Sequence, residues 1–316
     1  MARKIATIIG ATGKQGTAAI AALIQTDTYQ IRAVTRNPAS AAAKSLAEKG
    51  FEVVQGNLSD ESSLIAAFKG SHVIYGVTDW VQHFVSDDAQ TGMRKEAEHG
   101  TNIARAAQAT STLEHFIWST LPSVYDISGG KMRAANFDGK GEVNKYIQSV
   151  PELLAKTTFL VIGWYDVNFQ YPAFTPIWVP TADKYAIIGD YPADAAIITI
   201  GDVVQNLVPF IRAIVAQPGK TKNGATVIGH IEKTTFEDLL KRWARAHGKD
   251  AVFVRTEIKT VCDVWGKYGD STEMTRFMGE YKEEEIITAK GLGIDEREFI
   301  SVDESFKKLK LVDGIL

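Results

Sequence analysis

The chain has 316 residues, 45% hydrophobic and 23% charged, with a formal net charge of −3 at pH 7. That size and balance suit a folded chain of one large domain or two unequal ones. They argue against a duplex-binding surface, which needs concentrated positive charge: the one short basic cluster, Lys307-Lys308-Leu309-Lys310, lies near acidic residues.

Apolar or β-branched runs predict strands at Lys4–Ile9, Gln30–Thr35, Phe51–Gln55, His72–Val77, His115–Ser119 and Thr158–Ile162. Helical patterns fall between them at Gly16–Gln25, Ala39–Lys49, Glu61–Phe68, Gln90–Ala109 and Gly141–Ser149. Asn37-Pro38 reads as a helix start with proline in the first turn, and Glu48-Lys49-Gly50 as a stop. This alternation is the rhythm of a doubly wound parallel α/β sheet of Rossmann type. After Gly163 the texture changes. Trp164–Ile188 is rich in Pro and aromatic residues, with no clear helix. Helices are expected at Asp202–Val215, Thr235–His247, Thr272–Ala289 and Phe299–Leu309, and strands at Ala225–Ile228 and Ala251–Thr256. The expected division is a Rossmann domain over 1–162 and a smaller α+β region over 163–316, with 197–230 returning to the first.

Cys262 is the only cysteine, so no intrachain disulfide forms and a reducing, cytoplasmic setting is expected. No run of 18 apolar residues suggests a membrane span. A cleavable leader would remove the first strand, so none is expected.

The most informative segment is Gly10-Ala11-Thr12-Gly13-Lys14-Gln15-Gly16, directly after the first strand and before a helix. Glycines in such a turn let backbone N–H groups approach a pyrophosphate at a helix N-terminus. The spacing is G-x-x-G-x-x-G, and no G-K-[ST] follows as a Walker loop requires. The second strand ends Thr35-Arg36-Asn37-Pro38. Arg36 stands where an NAD site usually carries an acid, and a guanidinium suits a 2′-phosphate. NADP(H) is therefore the expected cofactor, with Lys14 and Lys44 as further candidate cations. Asn57 and Leu58, after the third strand, either flank the adenine or serve a helix cap near Asp60. Thr78, after the fourth strand, should pass near the pyrophosphate, and Trp80 either walls the cofactor or packs a loop.

The chemical half is thinner. Ser119 ends the fifth strand at the functional edge of the sheet. Lys140 lies in Phe137-Asp138-Gly139-Lys140-Gly141-Glu142-Val143, without the Tyr-x-x-x-Lys pair that would supply a proton; the residue four before it is Asn136. Lys140 either holds the nicotinamide ribose, relays a proton alone, or is a solvated helix-start lysine. Tyr125 and Tyr165 are the nearest spare phenols. Trp164, Tyr165 and Asn168 are expected on the substrate side, with Phe169 and Phe174 adding apolar wall. No histidine spacing suits a metal.

The glycine loop, the Arg36 segment and the Lys140 motif together resemble the NmrA-like family, an atypical branch of the short-chain dehydrogenase/reductases. The resemblance is firm from Lys4 to about Asn168 and looser beyond. It implies an NADP(H)-binding Rossmann domain with a smaller C-terminal domain closing a cleft. It also implies that Lys140 sits where related reductases keep a catalytic or ribose-binding lysine, and that Asn168 shapes the substrate side. Some members act by binding other proteins and report the dinucleotide redox state. The first functional expectation is thus an NADP(H) redox sensor or regulator with weak or no turnover, with a regulatory protein partner, in the cytoplasm or nucleus. The alternative is an NADPH-dependent reductase of a small carbonyl, quinone or enone, with Lys140, Ser119 and Tyr165 as candidate catalytic groups. A homodimer is compatible with either.

Overall fold

The computed structural model describes residues 3–280 and 286–310. Six strands come first: β1 (Lys4–Ile9), β2 (Tyr29–Thr35), β3 (Glu52–Gln55), β4 (Ser71–Gly76), β5 (His115–Thr120) and β6 (Thr157–Ile162). Then follow β7 (Trp164–Tyr165), β8 (Ile177–Val179), β9 (Lys184–Gly189), β10 (Ala196–Gly201), β11 (Ala225–Gly229), β12 (Glu232–Thr235), β13 (Asp250–Arg255) and β14 (Ile286–Ile287). The main sheet has eight strands in the order β14-β11-β6-β5-β4-β1-β2-β3. Its pairings are all parallel. The order reverses beside β1, between β4 and β2, and the carboxyl ends of the strands there open the crevice in which such sheets bind ligands. Two three-stranded sheets, β12-β10-β7 and β13-β9-β8, accompany it. The fold is a Rossmann-type doubly wound sheet with a smaller α+β part.

The first helices are α1 (Lys14–Ile24), α2 (Ala41–Glu48), α3 (Glu61–Phe68), α4 (Trp80–Ser86), α5 (Ala89–Gln108), α6 (Val124–Ile127), α7 (Ala135–Ser149), α8 (Pro151–Leu154) and α9 (Val203–Ala216). On one face of the sheet, Ala18 and Leu23 of α1 and Leu207 and Phe210 of α9 cover Ile8, Tyr75 and Leu160. On the other, Phe68, Ile103 and Val143 of α3, α5 and α7 cover Phe116 and Trp118. Both faces are buried, so the central strands read as continuous apolar runs rather than alternations.

The local differences from expectation have simple causes. Asn37 does not cap a helix: its Oδ1 accepts from Ala39 N in a tight turn, and Ser40, accepting from Ala43 N, caps α2. Residues 80–86, given no element by the sequence pattern, form α4, and Asp79 accepts from Val81 N at its start. The expected helix over Thr272–Ala289 is a helix at Glu273–Glu280, followed after the undescribed residues 281–285 by β14. The last helix is shorter than Phe299–Leu309: it runs Val302–Lys308, started by a capping box between Ser301 and Glu304.

The aromatic residues after Gly163 pack around one another. Trp164 meets Phe174 at 4.7 Å and Phe236 at 5.6 Å between ring centroids, edge to face, and Phe169 meets Trp243 and Phe306 at 5.7 Å. Burying such a ring fully is worth roughly 1.5–3 kcal/mol. Phe169 and Phe174, expected to wall the substrate, are instead this second core, 2% and 4% exposed.

Candidate functional site

Two adjoining hollows lie at the carboxyl edge of the main sheet. The first is a groove of about 440 Å³ along the end of β1 and the start of α1. Gly10 has φ +64°, and Gly13 N donates back to Gly10 O at 2.8 Å, which closes the turn. α1 then begins on Gly13 with no side chain capping it, so its first N–H groups stay available. Gly10, Thr12, Gly13, Lys14, Gln15 and Gly16 all line the groove, as do Arg36, Leu58 and Thr78. Arg36 is exposed at the rim, and among the described residues its guanidinium makes no ion pair.

Three expected contacts go elsewhere. Asn57 is not part of the lining: its Oδ1 accepts from Ser59 N, and Asp60 caps α3. Lys44 is exposed on α2 and outside the lining. Trp80 stacks on Phe84, one turn on in α4, at 4.2 Å and is not part of the groove lining.

The second hollow, about 220 Å³, is walled by the ends of β5 and β6, α7, the segment after β6, and Met274 and Phe277 of the helix Glu273–Glu280. Ser119, Lys140, Trp164, Tyr165 and Asn168, each expected from the sequence, all line it, together with Asn136. Asn136 occupies the place of the missing phenol and turns its amide to Met274 Sδ at 3.1 Å. Tyr125 is not in this wall: it is 39% exposed, under the guanidinium of Arg133 at 4.0 Å.

Among the described residues Lys140 is the only cation in the lining, and it is not free. Its Nζ donates to Glu96 Oε1 at 2.7 Å, to Thr78 Oγ1 at 2.7 Å and to Thr78 O at 3.3 Å. Thr78 Oγ1 in turn donates to Glu96 Oε1 at 2.8 Å. The Glu96 side chain is fully buried and that of Lys140 11% exposed. In the sequence Glu96 is one residue of the helical pattern Gln90–Ala109, with nothing to distinguish it. Its partner is 44 positions away, and the local pattern carries no sign of the pairing.

Tyr165 is held by Gln15, whose Nε2 donates to its oxygen at 2.7 Å. Burial pushes the Tyr165 phenol well above its usual range, so it stays protonated. Beside it, burial pushes the Asp166 carboxyl up to about 7, with Asp202 adding to the rise and the Val167 amide and Lys14 opposing it. Folding therefore takes up a proton at Asp166 between the ordinary carboxylate value and about pH 7, and stability falls as pH rises through that window. Asp166→Asn should remove this loss, raising stability at pH 8 by on the order of 3 kcal/mol and changing little at pH 4. Urea unfolding at the two pH values measures it; equal effects at both would contradict the assignment.

Among the described residues no helix is long and apolar enough to cross a membrane. None of their His, Cys, Asp and Glu side chains form a group of three placed to hold a metal.

A family model described as the NmrA-like family matches residues 2–312. This chain belongs to the NmrA-like family. Its relatives in that family include the NmrA-like family domain-containing oxidoreductase hkm9 of Aspergillus hancockii, 28% identical over 278 residues, which cover 83% of this chain and 78% of the relative. Among solved structures, the negative transcriptional regulator Nmra in complex with NADP superposes with a TM-score of 0.72 at 20% identity, covering 98% of this chain and 96% of that one. The NADPH-dependent quinone oxidoreductase QOR2 of Escherichia coli, complexed with NADPH, superposes with a TM-score of 0.65 at 18% identity, covering 95% and 98%. At these identities the two structures establish that the NmrA-like chain shares their fold.

Proposed function

We propose that this NmrA-like protein is an NADP(H)-dependent oxidoreductase that reduces a small, uncharged carbonyl, quinone or enone compound. The observation that carries the reading is the open cavity beside the dinucleotide groove. It exceeds the roughly 150 Å³ that holds benzene in an engineered protein core, and its lining is mostly apolar. Its one cation is neutralised by Glu96, so nothing there would favour a charged substrate. The oxidoreductase names of relatives such as hkm9 agree with this reading.

The groove residues fit a phosphorylated dinucleotide. The glycine turn leaves the α1 N–H groups open to a pyrophosphate, and Arg36, with no ion pair among the described residues, offers its guanidinium at the end of β2 for a 2′-phosphate. Leu58 and Thr78 wall the groove between them, and Lys140 stands where groove and cavity approach. The bound dinucleotide would supply the hydride. The protein's part is to orient it, to exclude water from the apolar cavity and to polarise the substrate oxygen.

Replacing Arg36 with Asp should weaken NADPH binding by ten- to a hundredfold, the size of a lost charge-assisted contact, and leave NADH nearly unchanged. Quenching of tryptophan fluorescence on titration reads both constants. Equal affinity of the native chain for the two dinucleotides would remove the role of Arg36.

A second reading is a redox-reporting regulator that binds NADP(H) without turnover and presents it to a protein partner. The three protein acceptors on Lys140 Nζ support it, since they leave that ammonium no spare donor. NADPH oxidation with a panel of quinones and aldehydes separates the two: steady turnover supports the enzyme, and its absence together with NADPH-dependent capture of a partner supports the regulator.

A further inference from the structure

Groove and cavity meet at one place. Gln15 and Tyr165 are the two described residues that line both, and they are bonded to each other. Gln15, in the first turn of α1, belongs to the motif expected to meet the dinucleotide. Its side chain instead bridges two phenols: Oε1 accepts from Tyr75 Oη at 2.6 Å, and Nε2 donates to Tyr165 Oη at 2.7 Å. Tyr75 is completely buried on β4, and the Ser119 hydroxyl at the end of β5 hydrogen-bonds to it, partly opposing the rise that burial gives its phenol. Three residues from separate strands and loops are thus strung behind Tyr165.

The string has a direction. A glutamine amide accepts at one end and donates at the other, and a phenol hydroxyl has a single proton. Tyr75 spends its one proton on Gln15 Oε1. That turns the Gln15 amide nitrogen toward Tyr165, whose oxygen accepts. The Tyr165 proton is then left without an acceptor among the described residues, on a side chain that faces the cavity. An unspent donor in an apolar wall is what the oxygen of a bound carbonyl would complete. The Tyr-x-x-x-Lys phenol absent from α7 has a counterpart here, delivered from the segment after β6.

We propose that Tyr165 donates the hydrogen bond to the oxygen of a carbonyl or quinone bound in the cavity, and that Gln15 and Tyr75 are positioning residues that aim its proton there. This rests on the cavity being the substrate site. Gln15 thereby acquires a second role, because the turn that receives the dinucleotide is wired directly to the substrate's hydrogen-bond donor.

The test uses acetophenone carrying a ¹³C carbonyl, bound to the full chain with NADP⁺, which cannot reduce it. Infrared difference spectra report the carbonyl stretch. The native protein should shift it to lower wavenumber than in an apolar solvent. Tyr165→Phe should abolish that shift, read at an NADP⁺ concentration that saturates each variant. Tyr75→Phe, which touches neither ligand, should weaken the shift by releasing Gln15, and circular dichroism would verify that it folds. In turnover, Tyr165→Phe should lower kcat about 10²-fold or more at little change in KM, as for loss of one oxyanion donor. No shift in the native protein, or a shift that persists in Tyr165→Phe, overturns the proposal. A native shift without NADPH turnover would instead sink the oxidoreductase reading and keep the donor.

Discussion

Gly16→Ala should abolish dinucleotide binding. A Cβ there would sit 2.1 Å from Gly10 O, 2.6 Å from Gly10 C and 2.7 Å from Ala11 Cα. All three are backbone atoms of the same turn, so no side chain can swing aside, and the turn itself must open. Opening it moves the first N–H groups of α1 away from the phosphate position and breaks the Gly13 N to Gly10 O bond. The packing of α1 on β1 suffers as well, because Gly16 is a buried residue of that helix. The expected loss is more than a hundredfold in NADPH affinity, with a lowered unfolding midpoint. Isothermal titration on a folded sample decides it. Retained affinity within tenfold would mean that the turn has a second conformation and that Gly16 is not its constraint.

The second large effect is at Lys140. Lys140→Met keeps the stem's volume and removes the ammonium, leaving Glu96 buried with no counter-charge. Breaking one side of a buried ion pair costs about 3–5 kcal/mol. Thr78 Oγ1 still donates to Glu96, which satisfies one lone pair and no charge. The companion variant Lys140→Met with Glu96→Met should recover most of that stability, since a matched apolar pair carries no stranded carboxylate. Urea unfolding of the two singles and the double gives the cycle. A Lys140→Met cost under about 1 kcal/mol would show that the pair is already solvated.

The sequence exposed the cofactor half because that half is local. β1, the glycine turn and α1 are contiguous, and Arg36 follows at the end of the next strand. The strands of the main sheet were readable because both faces are buried and their apolar runs are unbroken. The sequence pattern starts α7 at Gly141, six residues late, because Gly139 and Gly141 are poor helix formers. Their reason is packing: a Cβ on Gly139 would lie 3.0 Å from Met93 O, and one on Gly141 would lie 2.6 Å from Ser123 Cβ. The early start puts Asn136 and Phe137 on the helix and so into the cavity wall. Glu96 and Tyr75 were invisible for another reason. Each works through a partner 44 or 60 positions away, and a single sequence carries no trace of such a pairing. Phe169 and Phe174 went the opposite way: aromatic density looked like a pocket, and three-dimensional packing made it a core.

The two hollows draw on very different stretches of chain. The groove is lined from Ile9 to Tyr171, whereas the cavity also needs Ile198, Ile228, Met274 and Phe277. During synthesis, every side chain of the groove leaves the ribosome well before the cavity has its roof. Changes in the length and side chains of the late segments would alter the compound the cavity admits without touching the turn proposed to receive the dinucleotide. Under the proposed function, one cofactor handle would thereby serve different substrates, chosen in part by the late segments of the chain.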